Sequence, residues 1–271
     1  MKHMATQQLE DGFVRTKPNL ARNLKWNAPF DWLSAGWSDL WLNSFASFVY
    51  GVFIFLLSVS VTYLLFELNV SYLLLSALAG FMIMGPALAV GLYEKSRRIA
   101  EGKKITFGKM LGVKGKTFSQ ILFVGVVLGL IMSLWLRAAF LLYALFFGMV
   151  PFSGFDQIIT TVFTTNTGWA LLLVGSAVGG LFAAFSFAIS AFSIPMLLNE
   201  KTDAFTAMGT SMALTWNNMR VAIIWGAIVL CLFLVCLLTG LVGLIIIFPL
   251  LGHSTWHAYQ NIRFDIVKSE P

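Results

Sequence analysis

Two histidines near the C-terminus have the spacing that most directly suggests chemistry. His253 and His257 lie four residues apart in "LLGHSTWHAYQ", so on a helix they share one face. Neutral imidazoles at this spacing can bind one metal ion, although a closed metal site needs further ligands. Glu94, at the end of another apolar segment, is a candidate for a further ligand. The alternative is an interfacial belt at headgroup depth, in which the histidines join Trp256 and Tyr259.

The second feature is a strongly charged stretch that begins where an apolar segment ends. Arg97 follows Glu94 on the same helical face, so an ion pair within the helix is expected. With the histidines these residues make up the candidate functional polar cluster: Glu94, Arg97, His253 and His257. Two ligands on one side of one helix cannot occupy both faces of a haem iron, and the only other histidine is His3. The sequence therefore predicts no haem and no other cofactor.

Two more candidates lie inside apolar segments. Arg137 is a basic residue where a charge is costly unless it pairs or reaches the membrane surface. We expect it near the outer interface, where it snorkels or meets Glu67 or Asp156; the functional alternative is contact with an anion or substrate in an outward-facing vestibule. The other candidate is a polar line along one segment: Ser186, Ser190 and Ser193. This line is expected to form hydrogen bonds between helices, with a solute path as the alternative.

The elements that hold these residues are membrane helices. The chain has 271 residues, of which 58% are hydrophobic and only 11% are charged, and its mean hydropathy is +0.83. A soluble domain carries about 25% charged residues. Apolar windows predict six spans, at about 45–66, 71–93, 119–147, 169–198, 220–239 and 241–259. Each is long enough for a hydrocarbon core of ~30 Å. The predicted fold class is an all-α polytopic membrane protein.

Basic residues indicate the orientation. If both termini are cytoplasmic, 17 of the 18 Lys and Arg residues fall on the cytoplasmic side, all except Arg137. We therefore expect polar cytoplasmic tails at 1–28 and 261–271, around a membrane domain at 29–260. The net charge of +6 then serves orientation and contact with anionic lipid headgroups. No basic-aromatic binding module accompanies the charge, so nucleic acid is not an expected partner.

The six predicted spans form three out-and-back hairpins, and an amphipathic segment precedes each hairpin. In the first segment, apolar residues recur at helical spacing: Leu33, Trp37, Leu40, Trp41 and Phe45. The corresponding stretches are 107–118 and 205–219, and we expect all three to be helices at the cytoplasmic interface. Each returning span carries one proline: Pro86, Pro195 and Pro249. A triplicated hairpin is one interpretation; the other is that prolines are common in membrane helices.

Three stretches resemble an uncharacterised bacterial integral membrane family, domain of unknown function 2189. They are "GWSDLW" (36–41), "GFMIMGPALAVGLYEKSRRIAEGKK" (80–104) and "GHSTWHAY" (252–259). The resemblance extends over nearly the whole chain after residue 25. It implies a multi-span protein of the bacterial inner membrane, with no established activity, cofactor or substrate. Members are sometimes labelled as related to cytochrome oxidase subunits, but this chain lacks the several in-span histidines that haem and copper would need.

Function is predicted only broadly. No phosphate-binding loop, GxSxG motif or metalloprotease helix is present, which favours a protein that is not an enzyme. The leading hypothesis is an accessory, assembly or scaffold component that contacts membrane lipids and another membrane protein or complex. One alternative is a small-solute transporter or channel, which predicts a polar cavity beside the fourth span. Another is a metal- or redox-associated membrane protein centred on His253 and His257.

Overall fold

A computed structural model describes residues 8–9, 13–15, 20–21, 24–68, 70, 73–112, 115–148, 155–264 and 266–268. Within these residues the chain forms three short strands: β1 (Gln8–Leu9), β2 (Phe13–Arg15) and β3 (Ile266–Lys268). It also forms helices α1 (Ala28–Trp41), α2 (Ser44–Glu67), α3 (Leu74–Leu88), α4 (Val90–Ala100), α5 (Phe107–Leu111) and α6 (Gly115–Phe147). The remaining helices are α7 (Phe155–Thr164), α8 (Asn166–Ser190), α9 (Ser193–Asn199), α10 (Ala204–Asn217), α11 (Met219–Leu238) and α12 (Leu244–Arg263).

The predicted class, an all-helical membrane protein, is confirmed. Among the described residues, five segments are long and apolar enough to cross a membrane: Ser44–Glu67, Ser76–Ala100, Thr117–Phe147, Asn166–Asn199 and Met219–Leu238. The predicted sixth span, α12, has 20 residues, but its second half is polar. It is also the most enclosed of the long helices, with most residues from Phe248 to Ile262 buried. By contrast, α2 buries side chains only in its first half and exposes the rest.

The two ends of the chain lie together. Strand β2 pairs with β3 in an antiparallel arrangement, with Val14 opposite Val267. Chain ends on one side of a membrane require an even number of crossings, so this pairing agrees with a sixth crossing by α12. We call the end of the bundle where the two chain ends lie the terminal face, and the other end the opposite face.

Two of the three returning helices break close to their proline. Pro86 lies inside α3, and α4 resumes after Ala89, whose N–H bonds to the Pro86 carbonyl at 3.3 Å in a tightened turn. The break leaves the Leu88 carbonyl to accept a hydrogen bond of 2.7 Å from the Tyr50 hydroxyl of α2. In the second case α8 ends at Ser190 and α9 begins at Ser193. The continuations α4 and α9 pack on each other and on α12 at the terminal face.

The three hairpins are α2 with α3 and α4, α6 with α8 and α9, and α11 with α12. Contacts between them follow a cyclic order. The short helix that precedes each hairpin packs on the returning helix of another hairpin: α5 on α4, α10 on α8 and α9, and α1 on α12, which closes the ring. Two outgoing helices obey the same order, because α6 packs along α3 and α2 packs along α12. In the described residues the third outgoing helix, α11, does not pack along α8. We call the boundary between an outgoing helix and the returning helix of the neighbouring hairpin a seam. The seams α3–α6 and α2–α12 are closed, and the seam between α8 and α11 is open.

Candidate functional site

The first candidate region lies at the terminal face and is centred on His253. Helix α12 places this fully buried imidazole between α2 and α4. Its Nε2 atom lies 2.9 Å from the Ser47 hydroxyl, and its Nδ1 atom lies 2.8 Å from the Ser96 hydroxyl. Both ring nitrogens are thus engaged by hydroxyl groups. A metal ion could bind this histidine only if one of these hydrogen bonds broke.

Lys95, which is also fully buried, adds a charge to this region. Its Nζ donates to the Ser47 hydroxyl at 2.7 Å and to the backbone carbonyls of Asn43 at 3.3 Å and Leu40 at 3.5 Å. These carbonyls lie at and just beyond the C-terminal end of α1, where the helix dipole favours a cation. Lys95 therefore fixes the end of α1 against α2 and α4.

The hydrogen bonds are compatible with a neutral His253 that is protonated on Nδ1. The Ser47 oxygen accepts a hydrogen bond from Lys95, and its own hydroxyl can be donated to Nε2. Nδ1 then carries the ring proton and donates it to Ser96. We call this set of four side chains, Ser47, Lys95, Ser96 and His253, the buried polar cluster. It links three helices through a neutral imidazole.

His257 has a different partner. Its Nε2 lies 2.9 Å from an Asp39 carboxylate oxygen, which ties α12 to α1. Asp39 of α1 is buried, whereas Trp37 and Trp41 of the same helix are exposed. The two histidines thus serve separate contacts. Among the described residues, no three His, Cys, Asp or Glu side chains converge as metal ligands.

Glu94 is brought together with Arg97, as predicted from their spacing, and not with the histidines. Its two carboxylate oxygens accept three hydrogen bonds of 2.8 Å, two from Arg97 and one from Arg98. Arg97 also bonds Glu101 at 2.8 Å. Burial opposes ionisation of Glu101, but the neighbouring cations Lys103 and Arg97 outweigh it and lower its pKa. These ion pairs hold the buried carboxylate of Glu94 against the half-buried guanidinium groups of α4.

Sequence reasoning missed Ser47, Lys95, Ser96 and Asp39. Lys95 and Ser96 stand in a charged stretch that is typical of a solvated helix end. Their polar residue types do not reveal that they are buried while Arg97 is partly exposed. A signal was available in Gly91, because a small residue before a charged stretch permits a close helix contact. A Cβ atom at Gly91 would lie 2.5 Å from the Tyr50 ring, so this end of α4 is tightly packed.

The second candidate region is a cleft of about 1060 Å³ at the open seam. It is bordered by α3, α6, α8, α10, α11 and α12, and its volume is at the upper end of small-molecule pockets. Its α8 wall consists of small residues: Gly175, Ser176, Gly179, Gly180, Ala183 and Ala184. Large apolar side chains form much of the other walls, among them Phe81, Ile223, Phe233 and Phe248. No described residue that lines it carries a charge.

The cleft extends along most of the membrane thickness. Its lining runs from Leu171 to Ala191 on the α8 side, and from Met219 to Cys236 on α11. At 1.5 Å per residue these stretches are ~30 Å and ~26 Å long, close to the ~30 Å of a hydrocarbon core.

Glycines distinguish the cleft from the closed part of the bundle. An added Cβ atom would find nothing within 4 Å at four glycines that line the cleft: Gly85, Gly175, Gly180 and Gly226. It would lie less than 3 Å from a neighbouring helix at Gly36, Gly51 and Gly91 of the closed part, and also at Gly179 and Gly252, which line the cleft where it borders packed helices. The first group comes from three helices that face the same space. Gly36, Gly51 and Gly91 have backbone or side-chain neighbours that these four cleft glycines lack.

Residues 73–199 match a family model described as "Predicted integral membrane protein (DUF2189)". This part of the chain is similar to that family. The match confirms the resemblance for the stretch 80–104, and the stretches 36–41 and 252–259 lie outside it. No curated protein and no solved structure matches the chain. The DUF2189 segment contains Lys95 and Ser96 of the buried polar cluster and the α3 and α8 walls of the cleft.

The serine line lies within the DUF2189 segment but does not line the cleft. All three hydroxyls are buried and bond backbone carbonyls close by in sequence: Ser186 to Phe182, Ser190 to Ser186, and Ser193 to Ser190, at 2.7, 2.6 and 3.4 Å. The hydrogen bonds between helices at this level come instead from Ser211 of α10. Its hydroxyl donates to the Ala188 carbonyl at 2.8 Å and accepts from the Phe192 N–H at 3.2 Å.

Arg137, also in the DUF2189 segment, lies on the exposed surface of α6. At 100° per residue its side chain lies about 160° around the helix from Ala139 and about 60° from Phe140, both of which line the cleft. It makes no ion pair with a described residue. Glu67 is likewise exposed, and the side chain of Asp156 lies outside the described residues.

Proposed function

We propose that this protein is an accessory component of the membrane, without a reaction of its own, that holds a long-chain amphiphile in the cleft. The observation that carries the proposal is the set of cleft glycines, which three helices direct at one open, apolar space. The proposal includes the location, a bacterial inner membrane with both chain ends in the cytoplasm. The distribution of Lys and Arg supports this orientation.

The dimensions suit a hydrocarbon chain. The α8 and α11 walls are ~30 Å and ~26 Å long, close to the thickness of the hydrocarbon core in which lipid acyl chains lie. An extended methylene chain is only ~4 Å wide at van der Waals contact. The cleft of about 1060 Å³ therefore admits acyl chains with its walls in place.

The chemistry of the walls favours an apolar guest over a polar solute. A polar solute that leaves water for apolar walls loses hydrogen bonds that must be replaced. The hydroxyls of the serine line are directed to backbone carbonyls and not to the cleft. Nor does the geometry favour a metal protein, because both nitrogens of His253 are engaged by serines.

Lipid retention tests the proposal. The full chain would be purified in mild detergent, washed to remove loosely bound lipid, and examined by native mass spectrometry. We expect the wild-type protein to keep a bound lipid and the cleft-filling variants Gly180→Leu and Gly226→Leu to lose it. Gly129→Leu is the matched control, because Gly129 of α6 also has open space around it but does not line the cleft. Equal retention by all four well-folded proteins would contradict the proposal.

A further inference from the structure

The cleft has a cation at one of its mouths. Arg220 lies in the first turn of α11, next to Met219, which lines the cleft. It is exposed and makes no hydrogen bond or ion pair with a described residue. At 100° per residue, Arg220 lies about 60° around the helix from Ile223 and about 160° from Ala222, both of which line the cleft. Arg220 therefore stands on a wall helix, at the edge of its lining face and at the point where the wall begins.

This mouth opens at the terminal face. Asn218, at the junction of α10 and α11, donates a hydrogen bond of 3.0 Å to the carbonyl of Leu20, in the N-terminal part of the chain. Thr215 and Trp216 of α10 line the cleft here, and the indole of Trp216 is 73% exposed. The lining at the other end includes Leu73, Leu171 and Leu172. Arg220 thus stands beside the terminal-face end of the lining, whereas Arg137 lies within the lined stretch 135–143 of α6 and not at its end.

The groups at this mouth match the head of a phospholipid. A guanidinium can bind two phosphate oxygens at once, and such charge-assisted hydrogen bonds are stronger than neutral ones. Tryptophan is enriched at headgroup depth, and the N-terminal end of a helix such as α11 favours an anion. A neutral lipid with the same chains would fill the cleft equally well but would leave Arg220 without a partner.

We infer that the guest is a glycerophospholipid of the terminal-face leaflet, held with its phosphate on Arg220 and an acyl chain between α8 and α11. The inference rests on the proposed function and names its ligand. The phosphate is that of the lipid itself, because the same molecule must also supply the chain that fills the cleft.

A competition experiment tests the headgroup separately from the chain. Purified full-length protein would be incubated with equal amounts of phosphatidylglycerol and diacylglycerol of identical chain length, and the bound lipids would be counted by native mass spectrometry. We expect the wild-type protein to prefer phosphatidylglycerol by about tenfold, the effect of one charge-assisted interaction. Arg220→Gln should remove the preference and still bind lipid. Lys104→Gln, which changes an exposed cation in the stretch 101–112, where no residue lines the cleft, should behave like the wild type.

The outcomes separate the two proposals. If Gly180→Leu and Gly226→Leu abolish binding while Arg220→Gln keeps the preference, the headgroup assignment is wrong and the proposed function stands. If the cleft-filling variants bind lipid as the wild type does, the proposed function itself is wrong. A third arm adds an excess of inorganic phosphate. Loss of the preference in that arm would mean that Arg220 is a site for free phosphate, which would overturn the inference; an unchanged preference supports it.

Discussion

The seam between α2 and α12 and the seam between α8 and α11 hold equivalent places in the ring, yet one is closed and the other is open. Asn43 and Asn218 each stand at the start of an outgoing helix, eight residues before Gly51 and Gly226. A Cβ atom at Gly51 would collide with the Ile245 carbonyl oxygen, whereas at Gly226 it would find nothing within 4 Å. The same spacing from asparagine to glycine is thus found at a seam with close helix contact and at a seam without it.

The two seams differ in the polar bonds that link the outgoing helix to the helix it faces. At the closed seam the buried polar cluster bonds α2, α4 and α12 together, and Asp39 adds α1 through His257. At the open seam no such cluster links α8 to α11 in the part of the chain that the structure describes. In a membrane, apolar surfaces gain little by meeting each other, because lipid tails are equally apolar. Glycines permit close approach, but polar bonds and backbone contact hold the seam closed.

The largest expected effect comes from the centre of the closed seam. His253→Ala removes a buried ring and leaves the hydroxyls of Ser47 and Ser96 without their partner, so we expect a loss of about 3 kcal/mol of stability. Thr255→Ala is the comparison at the cleft wall, where the hydroxyl bonds only the Leu251 carbonyl of its own helix. It should cost less than about 1 kcal/mol. Thermal unfolding in detergent measures both, and equal losses would contradict the contrast between the seams.

The paired glycines give the next largest effect. Gly51→Ala places a methyl group against the Ile245 backbone and should destabilise the protein by about 2 kcal/mol, because the helices must separate. Gly226→Ala meets no neighbour, and alanine is the better helix former by up to ~1 kcal/mol. We expect this variant to be as stable as the wild type or slightly more so. A destabilised Gly226→Ala protein would show that α8 and α11 meet in the membrane.

A smaller effect is expected where the α8 wall ends. Ser211→Ala leaves the Phe192 N–H without its acceptor at the break between α8 and α9. We expect a loss of about 1 kcal/mol and faster amide exchange at Phe192. Thr206→Ser is a control on the same helix, since it retains a hydroxyl for Asp203. If Phe192 exchanges at the wild-type rate in Ser211→Ala, the break does not depend on α10.

The smallest effect concerns the start of α10. Asp203 accepts hydrogen bonds from the Thr206 hydroxyl at 2.6 Å and the Thr206 N–H at 3.0 Å, which lower its pKa. Since this pKa is lower in the folded state, the cap stabilises the protein above about pH 4 and its contribution is lost as the pH falls through the lowered pKa. The unfolding temperatures of wild type and Asp203→Ala should differ slightly at pH 6 and converge at low pH. A difference that grows on acidification would have the wrong sign.

Hydropathy predicted the membrane class and the long apolar helices because both depend on composition alone. It could not predict the central position of α12, whose polar residues from His253 onward are buried among other helices. The fate of Lys95 was equally hidden, since its burial depends on carbonyls of α1 about fifty residues away in sequence. The small residues of α8 predict close helix packing. Gly179 meets Trp135, but Gly175 and Gly180 face the cleft, because the position of α11 is set by its contacts with α12 and α1.

The helix breaks next to Ala89 and Ala191 have a mechanical consequence. Both residues line the cleft, and beyond each break the chain continues into α4 or α9, which are anchored at the terminal face. A ring that is closed at two seams and open at the third behaves like a split collar. Bending at these two short backbone segments, where helical hydrogen bonds are already missing, would change the width of the gap with little disturbance of the packed helices. The hydrogen bonds of the buried polar cluster around His253 can stay intact while the gap changes width.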